Sequence, residues 1–111
     1  MLATLLDFDF KDPRSRAAWE LNHAADHVEI RQAIEAQKTN NLSDWVLYPV
    51  PWEDLHGFAI RHQMAHNDFN SIFGLSGNDL TGVDFNDPKA AADWNFVHFA
   101  EHQAVRSALK I

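Results

Sequence analysis

One pattern constrains this chain more than any other, because it occurs three times. Residues 9 to 19 read DFKDPRSRAAW and residues 84 to 94 read DFNDPKAAADW, with Asp, Phe, Asp, Pro, Ala and Trp at identical spacing. The match continues through Trp19, His23 and His27 against Trp94, His98 and His102. A weaker third copy places Phe58, His62 and His66 at the same intervals. Each copy then carries an apolar residue three positions beyond its second histidine: Ile30, Phe69 and Val105. Self-similarity of this kind marks a repeated structural unit. At about 100° per residue, an aromatic, two histidines and an apolar residue at positions 0, 4, 8 and 11 fall within an arc of about 80°. Each copy therefore predicts a helix with one stripe along one face, widened by Ala24, Ile34, Phe73, Phe99 and Leu109.

The flanking residues set the ends. Asp12-Pro13 and Asp87-Pro88 each read as an N-cap followed by proline at the first helical position, where a missing N–H costs nothing. Pro51 or Trp52 with Glu53 and Asp54 makes an acidic first turn for the middle helix, and Gly74 is a natural stop after Phe73. The expected architecture is an all-α three-helix bundle with helices over 13–37, 52–73 and 88–109. The connections are read as ordered loops, since the second alternates Leu75, Leu80, Val83 and Phe85 with Gly, Asn and Asp. In an up-down-up bundle the middle helix runs opposite to its neighbours, so equivalent histidine pairs need not align.

A chain of 111 residues has room for one domain and one core. Its net charge of -7, with nine scattered basic residues, argues against nucleic acid, which needs clustered Lys and Arg. The absence of cysteine removes disulfide scaffolds and thiolate chemistry and fits a reducing compartment. The amino terminus, MLATLLDFDF, lacks the basic start of a signal peptide, and no apolar run reaches the roughly 20 residues of a membrane span.

The histidines admit three readings. Copied together with its Trp, the stripe reads as a packing rule, with neutral imidazoles as half-apolar core or interface groups; Trp19 and Trp94 are then core anchors. Alternatively His23, His27, His62, His66, His98 and His102 supply ligands to zinc, nickel or iron, because histidines four apart on a helix can clamp one ion. Asp26 or Glu101 would be carboxylate ligands in that case. Protonation near pH 6 makes pH sensitivity a third role. Residues 98 to 102, HFAEH, fit an inverted zinc-protease pattern, but no cleft is announced around them. Asn78, Asp79, Asp84, Asn86 and Asp87 form an oxygen-rich loop without EF-hand spacing, and Asp84 and Asp87 read as turn and capping groups. No catalytic residue is assigned.

From His62 to His102 the chain resembles small uncharacterised proteins encoded by tailed bacteriophages. The likeness lies in an H-x-x-x-H helix, the loop LSGNDLTGVDFND and a following W-x-x-x-H-x-x-x-H helix. The resemblance implies a gene among virion and tail genes, and transfers no active site. The expectation is a non-enzymatic structural, assembly or adaptor protein, located in the virion or the host cytoplasm. It would contact phage structural proteins, or copies of itself as a homo-oligomer, with no nucleic-acid or membrane partner and no cofactor. Trp45, Tyr48 and Trp52 are the expected docking anchors.

Overall fold

The computed structural model describes residues 12–38, 55–84 and 86–111, and the side chains among them other than those of residues 38 and 55–58. Three helices appear in order: α1 (Pro13–Lys38), α2 (Leu55–Phe73) and α3 (Pro88–Leu109). This is the expected all-α, three-helix arrangement. The caps follow the chemistry read from the sequence. Asp12 Oδ1 accepts from Arg14 N at 3.0 Å, and Asp87 Oδ1 accepts from Lys89 N at 3.1 Å, with Pro13 and Pro88 opening their helices. Gly74 follows α2 at φ +64, in the left-handed region that glycine enters without a Cβ penalty. The expected start of α2 at Pro51 or Trp52 lies outside the described residues, as does Phe85.

The direction of α2 differs from the up-down-up expectation. The N-terminal half of α2 brings His62 to His23 and His98, and its C-terminal half brings Phe69 into one apolar cluster with Ile30, Ile34, Val105 and Leu109. All three helices therefore run the same way along the bundle. The cause lies in the repeat itself. Every helix reads aromatic, histidine, histidine, aliphatic in that order, and like ends meet only if the helices are parallel. Opposed helices would still set histidine against histidine, but would bring the aromatic end of one helix against the aliphatic end of the next.

Parallel neighbours need a long return path. The connection over residues 74–87 supplies it, with 14 residues between α2 and α3, a reach of about 46 Å against an α3 of about 33 Å. It starts beside the aliphatic end, where Leu75 N donates to Asn70 O at 2.9 Å. It then climbs to Leu80, which joins Trp19 and Trp94 in a second apolar cluster. Trp94 Nε1 donates to Leu80 O at 2.9 Å, tying the loop to the aromatic end. Leu80 is buried as an anchor, and Leu75 and Val83 are half-buried. The histidines thus sit between two apolar ends.

Candidate metal centre

The helix periodicity places six imidazoles in two triangles stacked along the bundle. The upper triangle, next to the tryptophans, is His23, His62 and His98, with ring centroids 4.7–4.9 Å apart. The lower one, next to the aliphatic end, is His27, His66 and His102, at 4.8–5.1 Å. One ligand atom from each of the six lies within 4.8 Å of all the others, and every one of these residues is buried. Trp19 stacks on His23 at 4.6 Å and 14°, and Trp94 stacks on His98 at 4.7 Å and 7°. Phe69 closes the other side against His27 at 5.4 Å.

Burial in this apolar sleeve pushes the pKa values of His23, His27, His62, His98 and His102 well down, and the neighbouring imidazoles push them further. Those rings are neutral at pH 7, each with one N–H and one lone pair. In the upper triangle the Nε2 atoms meet one another on all three sides: His23–His98 at 2.9 Å, His62–His98 at 2.9 Å and His23–His62 at 3.1 Å. Three nitrogens, each either a donor or an acceptor, cannot alternate around a triangle. At least one side must set N–H against N–H or lone pair against lone pair. Protonation does not relieve this, because an imidazolium offers only donors. A cation among the rings does relieve it, since every Nε2 then turns a lone pair inward.

Groups behind the rings fix that orientation. His102 Nδ1 donates to Asp26 Oδ2 at 2.5 Å, and His66 Nδ1 donates to Glu101 Oε1 at 3.1 Å. With the proton held on Nδ1, the lone pair is on Nε2, facing the other rings. Nε2 of His66 is buried and has no hydrogen-bond partner, which suits a ligand atom. Asp26 or Glu101 was the expected carboxylate ligand of the metal reading, and in the structure each of the two holds a histidine by its Nδ1.

Both carboxylates are themselves supported. Glu101 accepts from Asn70 Nδ2 at 3.0 Å, from Asn78 N at 3.0 Å and from Asn78 Nδ2 at 2.9 Å. Burial works against its charge, but the bonds from His66, Asn70 and Asn78 prevail and hold its pKa down at about 2. Gly77 lets the loop approach this site, for a Cβ there would lie 2.9 Å from Asn70 Nδ2. Burial raises the pKa of Asp26, opposed by Arg106, whose Nη1 donates to Asp26 Oδ1 at 2.6 Å while Nη2 donates to Glu29 at 3.0 Å. Replacing Asp26 by Asn keeps the shape but removes the charge facing Arg106 and one acceptor. The expected cost is about 1.5–3 kcal/mol, measured as a shift in the denaturant midpoint at unchanged m-value.

Asp26, Ala65 and Glu101 occupy the same place in the three repeats, one residue before the second histidine. Asp26 on α1 serves His102 on α3, and Glu101 on α3 serves His66 on α2. By the same rotation Ala65 on α2 would serve His27 on α1, and His27 Nδ1 is a buried atom without a hydrogen-bond partner. The centre is thus a threefold arrangement with one carboxylate missing.

Asp79, Asp84 and Asp87 accept from Thr81, Asn86 and Lys89 two residues on, as turn and capping groups. Asn70 and Asn78 were not singled out as partners of Glu101, and nothing in their spacing announces the loop crossing that joins them. Trp45, Tyr48 and Trp52 lie outside the described residues. Among the described residues no helix is long and apolar enough to cross a membrane. Compared with protein-family models, curated proteins and solved structures, the chain matches none.

Proposed function

We propose that this protein binds one divalent transition-metal ion between its two histidine triangles, with His23, His27, His62, His66, His98 and His102 as ligands. The observation that carries the reading is the mutual contact of three Nε2 atoms in the upper triangle, which no distribution of imidazole protons satisfies. Imidazole nitrogen suits zinc, nickel and iron. Two buried carboxylates behind the ring, Asp26 and Glu101, offset the charge such an ion would bring into an apolar interior.

This reading is non-catalytic. A catalytic metal keeps a position open for water or substrate, whereas six imidazoles surround this site and tryptophans and aliphatic residues cover its ends. Glu101, the acid of the HFAEH pattern, is committed to His66, Asn70 and Asn78 rather than facing a substrate. The ion's work is then to hold three parallel helices in register. A structural or assembly role in a phage particle, implied by the sequence resemblance, is compatible with such a clamp and rests on that resemblance.

The test is elemental analysis of protein purified without a histidine tag. One equivalent of zinc, nickel or iron per chain, or uptake of one equivalent after chelator stripping, is the expected result. Protein that stays metal-free when offered each of these ions would refute the proposal and leave the histidines as packing groups.

A further inference from the structure

We infer that the ion is held six-coordinate in an octahedral field, so that the site takes nickel(II) or iron(II) in preference to zinc(II). This inference rests on the metal reading above and specifies which ions the centre is shaped for.

The geometry points there in three ways. First, the two histidine triangles are staggered. His23 touches His27 and His102 of the lower triangle, at 4.4 and 5.1 Å between centroids. His62 touches His66 and His27, at 4.2 and 5.5 Å, and His98 touches His102 and His66, at 4.4 and 5.0 Å. Together with the sides of the triangles, these are the edges of an octahedron. Its diagonals are the pairs His23–His66, His27–His98 and His62–His102.

Second, five of the twelve nitrogen–nitrogen edges, all of those that involve the upper triangle's close contacts, have octahedral spacing, while the lower triangle stands wider, with His66 Nε2 outside hydrogen-bond reach of its neighbours. With metal–nitrogen bonds of about 2.1 Å, adjacent ligands stand about 3.0 Å apart in an octahedron and about 3.4 Å apart in a tetrahedron. The observed edges within the upper triangle are 2.9, 2.9 and 3.1 Å. The edges between triangles, His23–His27 and His98–His102, are both 3.0 Å. Third, no ring is spare. A four-coordinate ion would leave two imidazoles buried with their lone pairs turned to nothing, which a folded interior does not tolerate cheaply.

Zinc(II) has a filled d shell, gains nothing from an octahedral field and settles at four ligands in structural sites. Nickel(II) and iron(II) have partly filled shells that an octahedral set of six nitrogens stabilises. Manganese(II) and magnesium(II) prefer oxygen donors and are excluded by an all-imidazole set. The preference is therefore set by coordination number, which three parallel helices impose by each contributing two histidines one turn apart.

The experiment uses the full chain, stripped of metal and loaded separately with nickel(II) or zinc(II), then with both at equal concentration. X-ray absorption of the nickel form is expected to give one shell of six nitrogens with imidazole scattering. In the competition, nickel is expected to outnumber zinc in the protein by about tenfold or more. Four or five nitrogens around nickel, or zinc occupancy equal to or above that of nickel, would overturn the octahedral inference while leaving the metal reading intact. Failure to take up either ion would overturn both.

Discussion

Metal-free protein is expected to unfold on mild acidification, over a pH range in which most globular domains of this size are stable. The five histidines whose pKa values burial depresses are neutral in the folded chain and take up protons near pH 6.5 once unfolded. Below that pH the unfolded state binds more protons, so stability falls as pH falls. Above it both states are neutral at these rings and the loss vanishes. Each group contributes about 1.4 kcal/mol per pH unit, and five acting together approach about 7 kcal/mol per unit. A domain stable by roughly 5–15 kcal/mol is exhausted within one to two units of pH 6.5. Far-UV circular dichroism of chelator-treated protein between pH 7.5 and pH 4.5 would follow the transition. A folded baseline persisting to the bottom of that range would mean that the rings can be charged in place, and that the sleeve around them is not dry.

Loading the ion is expected to produce the second large effect, in the opposite direction. A ligand that binds only the folded chain, present at a thousandfold excess over its dissociation constant, stabilises by about 4 kcal/mol. For a chain of this length that corresponds to a rise in melting temperature of roughly 15–30 °C. The two effects are coupled, because protons and the ion compete for the same nitrogens. Metal should therefore also move the acid transition to lower pH, and chelator should restore it. Coincident melts with and without nickel(II) would show that the ion does not occupy the histidine triangles, even if it binds elsewhere on the chain.

Much of this architecture was legible in the residues. The helices could be placed because Asp-Pro caps and glycine act locally, through groups one to three positions away. Membership of the histidine set was legible too, since its spacing is that of one helix face. The relative direction of the helices was harder to read. Short connections favour antiparallel neighbours, but the 14 residues between α2 and α3 are enough for a parallel return, and the order of layers within each stripe favours one. That order is visible in the sequence, for only parallel helices set aromatic ends together and aliphatic ends together. Asp26 or Glu101 reads from the sequence as a carboxylate ligand, and in the structure each bonds the Nδ1 of a histidine. Their side chains start one residue from a ligand histidine of their own helix, yet they reach a histidine of the next one. Such a cross-helix step depends on the rotation between helices, which no single stripe encodes. Asn70 and Asn78 depended further on where the return loop passes, fixed by Gly77 and Leu80 only once the helices are in place.

Three parallel helices related by rotation about a common axis are what three separate copies of one peptide would form around an ion. This chain is in that sense a trimer joined end to end, and the joining has a consequence that a true trimer could not share. In an assembly of identical chains, a residue facing the axis is changed three times at once, so each position must suit all three neighbours equally. Here each copy can change alone. The Asp26, Ala65 and Glu101 positions have diverged in this way, and the result is a centre with a polar side and an apolar side. An ion held on the axis is pulled toward the side of Asp26 and Glu101 and away from Ala65. The repeat supplies the histidines, and the differences between its copies give the cluster a direction.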